Sequence, residues 1–366
     1  MHSGASQKKW EEYVLEEMAA VRPILEKHSI ELDEEQPHVI GERAVMRAVT
    51  TQSGEKLVLV GHMSPPGIQV IVKTTSDARG RKELEHEKKA KALLTKLRFA
   101  YDVFFTPKEL IFVTSGGRSV AIYEFIEQEK PFTDRPLEEQ FRFALNAFKA
   151  QESAHATTAK HTRLIKGVFD TYNAADYCDR FQEFKKTILE FDPSYENLLA
   201  EVQNQLESDR ETIDRYGRFL VHTDFVPHNF RIKGDVFYLL DFSSLRFGNK
   251  YEGWARFLNF MTLYNPSLED ALTQYVARNR SSGEQESLRL MRFYRLAELA
   301  AFYVGTLPRA DDALKTLNAA RVSFWLLVLE TILKGQALPE SIRSEYQRLR
   351  DSLRSDDEKQ RQKGLH

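Results

Sequence analysis

The stretch "HTDFVPHN", His222 to Asn229, sets several chemically capable side chains at fixed offsets between the apolar runs "RFLV" and "VFYLLDF". Asn229 follows Asp224 by five residues, and a second carboxylate, Asp241, follows Asn229 by twelve across a "KGD" turn. Two carboxylates and a neutral oxygen ligand suit phosphoryl transfer from ATP. That reaction asks a protein for an oriented hydroxyl, metal ions on the phosphates and a cation to hold them, with little covalent work. Mg²⁺ prefers hard oxygens and usually takes one or two protein carboxylates, keeping water and phosphate as its other ligands. Asn229 and Asp241 are therefore the expected metal ligands, and Asp224 is left to accept or orient the proton of an acceptor hydroxyl. His222 belongs to the same catalytic loop, where hydrogen bonding within the loop is a better reading than proton transfer.

Such a loop needs strands to carry it. The runs "NFRI" and "VFYLL", joined by the turn, predict a hairpin with Asp241 at its exit. Upstream, from His38 to about Ile126, short β-rich runs ("HVIGERAVMRAVT", "KLVLVGHM", "IQVIVKTT", "LIFVTS", "SVAIYEFI") are separated by turn signals and interrupted by one charged helical segment, "ARGRKELEHEKKAKALLTKL". This order predicts a small antiparallel sheet with a single helix against it. Before it, Trp10, Val14, Met18, Val21 and Leu25 recur at helical spacing over Lys8 to His28. After "EKPFTDRP" the texture is mainly helical. Leu137, Phe141, Leu145 and Phe148 are expected on one buried face, and Phe181, Phe184, Ile188 and Phe191 on another. A last helix carries Ile342, Tyr346, Leu349 and Leu353 on one side.

"HTDFVPHN" followed by "LLDF" resembles the catalytic loop and metal-binding aspartate of the aminoglycoside phosphotransferase and choline kinase superfamily, whose usual form is H-G-D-x-x-x-x-N and then I-D-[FWY]. His222, Asp224, Asn229 and Asp241 match position by position, and Pro227 fills a position often held by proline. Thr223 stands for the usual glycine, and Val226 and His228 for the common histidine and glycine; these departures bear on subfamily and substrate more than on ATP chemistry. The resemblance runs from about His38 to about Phe260 in the order of elements. It implies an α+β, bilobal protein-kinase-like fold, with a small antiparallel β-sheet N-lobe carrying one helix and a larger, mainly helical C-lobe. The boundaries it suggests are an N-terminal helical extension (1–37), a nucleotide-binding N-lobe (38–127) and a C-lobe with catalytic loop and acceptor pocket (128–366).

The resemblance also demands a strand lysine on the nucleotide phosphates and a helix glutamate to hold it. "VIVKTT" supplies Lys73; Glu87 is favoured as its partner, with Glu83 second and Glu85 also on that helix. A Walker P-loop is excluded, since neither G-x-G-x-x-G nor G-x-x-x-x-G-K-[ST] occurs. The turn covering the nucleotide is expected at Ser53 and Gly54 in "TTQSGEK", with "HMSPPG" competing. The backbone of Glu124 and Ile126 is expected at the adenine edge. Only nine residues link Asp241 to the helical "YEGWARFLNFM", too short a segment to dock a peptide, so the implied acceptor is a small hydroxylated molecule.

Composition sets the outer limits. The 366 residues allow two lobes with a cleft, and 52 basic against 54 acidic residues give no global field for nucleic acid or an anionic membrane. A single cysteine, Cys178, excludes an intramolecular disulfide and fits a reducing compartment. The N-terminus has no apolar signal region, and "VSFWLLVLETIL" is interrupted by Glu330 and too short to cross a bilayer; a cytoplasmic protein is the default expectation. Two alternatives stay open. One is a kinase-like nucleotide-binding module without turnover, and the other a metallohydrolase using His222, Asp224 and His228; such sites generally recruit further histidines, and the remaining pair, His155 and His161, has no H-E-x-x-H arrangement. Candidate acceptor-site groups are Glu269, Asp270 and Glu298 for a polycation, or Tyr251, Trp254, Phe257 and Tyr264 for an aromatic cage, core packing being the better reading of the aromatic set.

Overall fold

The computed structural model describes residues 3–34, 36, 56–65, 67–97, 105–310 and 312–354, with side chains from residue 12 onward. Strands β1 (Ile30–Leu32), β2 (Leu57–Met63), β3 (Ile68–Thr75), β4 (Glu109–Ser115) and β5 (Arg118–Glu124) form one antiparallel sheet in the order β1-β2-β3-β5-β4. Side chains alternate between the faces of a pleated strand. On β3 this sends Val70 and Val72 to one face and Ile71 and Lys73 to the other. The first face is closed by helix α1 (Ser3–Glu26), whose Val21 and Leu25 are buried against Val70, Val72, Val120 and Ile122. Glu17, also buried, accepts hydrogen bonds from the Arg118 guanidinium (2.8 and 3.0 Å) and from the Ser76 amide (3.0 Å), which ties α1 to the end of β3. The sequence predicted only a helix in this segment; the edge strand β1 is an addition. The predicted strand "HVIGERAVMRAVT" lies outside the described residues.

Helix α2 (Ala78–Lys96) follows β3 directly. Asp77 caps it, its carboxylate accepting from the amides of Arg79 (3.0 Å) and Gly80 (2.8 Å). Gly80, Leu84, Glu87, Ala90 and Leu93 recur on one buried stripe. Glu87 is the one charged residue in that stripe, so the helix delivers a carboxylate where its neighbours deliver packing.

The rest is helical apart from two short ribbons: β6 (Phe219–His222) with β9 (Leu245–Gly248), and β7 (Phe230–Lys233) with β8 (Val236–Leu239). The second ribbon is the predicted hairpin, turning at Gly234 with φ +57°. In α3 (Leu137–Ser153) the buried stripe is Phe143, Ala144, Ala147, Phe148 and Gln151, whereas Leu137 is exposed and Phe141 and Leu145 are only partly covered. The small alanines let α3 approach its neighbours closely, which rotates the expected face. The short helix α4 (Ala159–Ile165) precedes α5 (Ala174–Phe191), which buries Phe181, Phe184 and Ile188 as expected but exposes Phe191 in its last turn.

Helices α6 (Glu196–Ser208) and α7 (Arg210–Arg215) lead into the ribbons, and α8 (Tyr251–Tyr264), α9 (Pro266–Asn279), α10 (Ser282–Thr306), α11 (Asp312–Leu333) and α12 (Glu340–Leu353) complete the C-lobe. Tyr251, Trp254 and Phe257 are core residues of α8, and Phe148 stacks on Trp254 at 3.7 Å. By length and composition α11 passes as a membrane span, so the expectation of an apolar run too short to cross a bilayer is corrected: it counted only part of the helix. Val322, Leu326 and Leu329 of α11 are fully buried, and the helix packs along α10. On α12, Tyr346 and Arg343 are buried, while Leu349 is exposed. Cys178 is buried in the core.

Candidate active site

Strand β6 ends at His222, and the chain turns at once into the loop. Thr223 fixes the turn from both ends: its amide donates to Ser244 O (2.8 Å), and its carbonyl accepts from the Arg295 guanidinium (2.5 Å). Phe225 is fully buried against Phe148 and Phe230, with ring centroids 5.4 and 4.7 Å away. Each such aromatic pair contributes about 0.5–1.5 kcal/mol beyond area burial. With Phe225 anchored inward, its neighbour Asp224 is presented outward, its side chain 39% exposed. Pro227 opens a 3-10 turn over Pro227–Asn229, closed by the Asn229 amide on Val226 O at 2.9 Å.

That turn brings Asn229 back onto Asp224. Its Nδ2 donates to the Asp224 carbonyl (2.8 Å) and to Oδ2 (3.0 Å). Both hydrogens of the amide nitrogen are thereby committed. Asn229 Oδ1 accepts no hydrogen bond among the described residues, which leaves it available as a hard-oxygen ligand. The Leu240 amide donates to Asn229 O at 2.9 Å, joining the "HTDFVPHN" loop to the hairpin exit one residue before Asp241.

Asp241 sits at φ 56°, ψ 62°, a left-handed conformation uncommon for a residue with a side chain. Strain of this kind costs of order 1–3 kcal/mol and is held by its surroundings. Here the Ser243 and Ser244 hydroxyls donate to Oδ1 (2.5 Å) and Oδ2 (2.8 Å). His222 braces the same bend: its Nε2 lies 3.1 Å from both the Leu240 and Asp241 carbonyls. Since both partners are acceptors, Nε2 carries the proton. His222 Nδ1 has no partner among the described residues. Burial holds the imidazole below its usual pKa in spite of the nearby Asp241 and Asp224 charges, so it is a neutral brace. The side chain is fully buried, and its role here is hydrogen bonding, the reading preferred over proton transfer.

The N-lobe meets this constellation through Lys73. Its Nζ lies 2.8 and 3.1 Å from the two carboxylate oxygens of Glu87. Burial acts to lower the ammonium's pKa, but Glu87 and Asp241 outweigh it and raise it. Glu87 is held down correspondingly, against burial, by Lys73 and by a second lysine, Lys91, at 3.4 Å. Lys91 lies over the Tyr123 ring at 3.9 Å. Glu83, the second choice as partner of Lys73, instead pairs with Lys56 and lies 3.0 Å from Ser243 Oγ, while Glu85 is exposed. The pair Glu83 and Ser243 thus links α2 to the Asp241 bend.

The two candidate turns separate on register. Leu57 pairs with Thr74, so the chain enters β2 beside Lys73; Ser53 and Gly54 themselves lie outside the described residues. Strand β3 begins at Ile68, on the "HMSPPG" side, five residues and therefore about 17 Å from Lys73 at about 3.4 Å per residue. Of the two expected adenine-edge positions, the Glu124 amide is taken by Lys108 O at 3.0 Å, whereas the Ile126 amide bonds nothing among the described residues.

Two features were not anticipated. Arg256, on α8, donates Nε (3.1 Å) and Nη2 (2.9 Å) to Asp224 Oδ1. His228 stands 3.7 Å from Oδ2. Burial acts to raise the Asp224 carboxyl, but Arg256, with His228 and His222, holds it well below the usual range. No sequence motif marks Arg256; it is one cation in "EGWARFLNF". The proposed acceptor carboxylates are differently disposed: Glu269 pairs with Arg292 (2.5 Å), Glu298 with Arg295, and Asp270 is exposed.

The histidines of the metallohydrolase alternative do not converge. His222 is spent on carbonyls, His155 stacks on Phe219 at 4.0 Å, and among the described residues no group of three or more histidine, cysteine or acidic side chains forms a metal cluster.

No protein-family model and no curated protein sequence matches the chain. Solved structures do. Aminoglycoside phosphotransferase APH(4)-Ia aligns with a TM-score of 0.58 at 14% identity, covering 87% of this chain and 98% of its own. Macrolide 2'-phosphotransferase MphH from Brachybacterium faecium aligns at 0.52 and 13%, covering 83% and 97%, and choline kinase LicA from Streptococcus pneumoniae at 0.51 and 14%, covering 85% and 98%. The chain has the bilobal, kinase-like fold of these proteins.

Proposed function

We propose that this chain transfers the γ-phosphoryl group of ATP to a hydroxyl group of a small molecule, with Mg²⁺. One observation carries the reading: the Leu240 amide joins Asn229 to the Asp241 bend, while the Glu87-held ammonium of Lys73 lies within the electrostatic reach of Asp241. Its structural relatives include proteins named as aminoglycoside and macrolide phosphotransferases and a choline kinase, one of them in complex with ADP and hygromycin B. That supports the same class of chemistry here.

Asn229 Oδ1 and the Asp241 carboxylate are fitting ligands for a divalent ion, being hard oxygens of which the first accepts no hydrogen bond among the described residues. Such an ion, when bound, neutralises the charge on the phosphate oxygens. Lys73 holds the phosphates, its ammonium kept charged and oriented by Glu87. Asp224 receives the acceptor hydroxyl. Because Arg256 keeps this carboxylate a weak base, its part is to orient the hydroxyl and to pass its proton on to solvent, rather than to abstract it in advance.

In the reaction a bond forms from the acceptor oxygen to the γ-phosphorus. The bond to the β–γ bridging oxygen breaks, and its electron pair leaves with ADP. The segment 242–250 between Asp241 and α8 is short and folded as a 3-10 turn and strand β9, which favours a small acceptor over a peptide. Transfer of label from γ-labelled ATP to members of a panel of hydroxylated compounds tests the reading. Label found only as inorganic phosphate, across amino sugars, sugars, amino alcohols and hydroxy acids, would count against it.

A further inference from the structure

Resting on the phosphotransferase reading, we infer that the acceptor carries an anionic group, a phosphate or a carboxylate, close to the hydroxyl that is phosphorylated, and that Arg256 binds it. A guanidinium presents five N–H groups in a planar fork matched to such anions. In Arg256 two of its nitrogens, Nε and Nη2, converge on the single oxygen Oδ1 of Asp224, and Nη1 donates to nothing among the described residues. The edge formed by Nη1 and the second N–H of Nη2 is therefore unspent. The Asp224 side chain is 39% exposed and that of Arg256 16%. An acceptor hydroxyl that reaches Asp224 must come within reach of that edge.

Three carboxylates on α8 and on the helices packed against it are already matched. Glu252 is engaged by Arg246 and Arg295, Glu269 by Arg292 and Glu284 by Lys250. Asp224 is itself matched by Arg256 on one oxygen and faced by His228 across the other. A polycation brought here would find no unpaired carboxylate among these groups and would meet a guanidinium. Specificity follows from complementary charge, and like charges brought together disfavour the wrong partner. An anionic substituent instead gains the charge-assisted hydrogen bonds that Arg256 has left to give.

The test uses the full chain saturated with Mg²⁺ and the non-hydrolysable analogue AMP-PNP, so that the phosphate sites are filled first. Glycerol 3-phosphate, glycerate, glycerol and the polycation spermidine are then titrated by calorimetry. The inference expects one or both anionic probes to bind at least about tenfold more tightly than glycerol and spermidine. The phosphate and carboxylate arms tell the two sources of charge apart. Arg256→Gln should bring the anionic probes down to the level of glycerol, and Arg256→Lys should restore part of the preference. Circular dichroism checks that the variants fold, and the wild-type ranking stands without them. Anionic probes that bind no better than glycerol or spermidine, or a preference that survives Arg256→Gln, would overturn the inference. Failure of the parent reading is separately visible, as absent binding of Mg²⁺ and AMP-PNP in the first titration.

Discussion

Replacing Glu87 by Gln keeps shape and removes one charge from a site where that charge serves two cations. Its side chain is 4% exposed, and the ammonium groups of Lys73 and Lys91 lie 2.8 and 3.4 Å from its oxygens. The lysine side chains are themselves only 21% and 14% exposed. Breaking a buried ion pair by removing one partner costs about 3–5 kcal/mol, because the other charge stays buried and uncompensated. Lys73 retains the field of Asp241 and some access to solvent, so the lower end, about 3 kcal/mol, is expected in urea unfolding followed by circular dichroism. Lys91 has Glu109 and the Tyr123 ring as further supports, yet burial and the Lys73 charge still hold its ammonium below its usual pKa, so it is the more frustrated of the two. Adding Lys91→Met to the Gln variant should therefore recover about 1 kcal/mol or more, whereas the same change in wild type should destabilise. A loss below about 1 kcal/mol on Glu87→Gln, or no recovery in the double variant, would refute the claim that this carboxylate balances two buried lysines.

Two further outcomes follow from the site. Asp224→Asn should lower turnover by about 10²- to 10⁴-fold, the usual scale for one positioned acid or base, while leaving nucleotide affinity nearly unchanged; steady-state kinetics with a nucleotide titration read both. His222, kept neutral by burial, makes stability depend on pH. The unfolded chain protonates this imidazole near pH 6.5 and the folded one does not, so the unfolded state binds more protons and stability falls as pH drops below about 6.5. The slope from this one group approaches about 1.4 kcal/mol per pH unit. His222→Gln should remove that contribution between pH 6.5 and 5.5, while His155, shifted in the same direction, contributes equally to both proteins. Parallel stability curves for the two would contradict the neutral brace.

Much of the site was legible because its signals are local. The offsets among Asp224, Asn229 and Asp241 follow from a turn and a hairpin that the sequence marks with Pro227 and Gly234, and Lys73 is readable as the charged residue in an alternating strand. Glu87 was favoured over Glu83 and Glu85 by the family resemblance, and the structure sets it on the buried stripe of Leu84 and Leu93. What the sequence withheld depends on distant contacts. Nothing near Arg256 tells that α8 crosses the loop at Asp224, and Lys91 reads as one more lysine in a charged helix until Tyr123 and Glu87 are seen beside it. The rotated face of α3 has the same origin: Ala144 and Ala147 pack as tightly as any phenylalanine, and composition alone gives them no weight.

The central claim, a metal-dependent nucleotide site built on Asn229 and Asp241, is tested most directly by thermal unfolding of wild type and Asp241→Asn with ATP, each with and without Mg²⁺. A ligand that binds only the folded state stabilises it by about 2.7 kcal/mol at a hundredfold excess over Kd. A Mg²⁺-dependent stabilisation by ATP is expected in wild type and is expected to be lost in Asp241→Asn. Equal stabilisation of both proteins, or none in wild type, would contradict it.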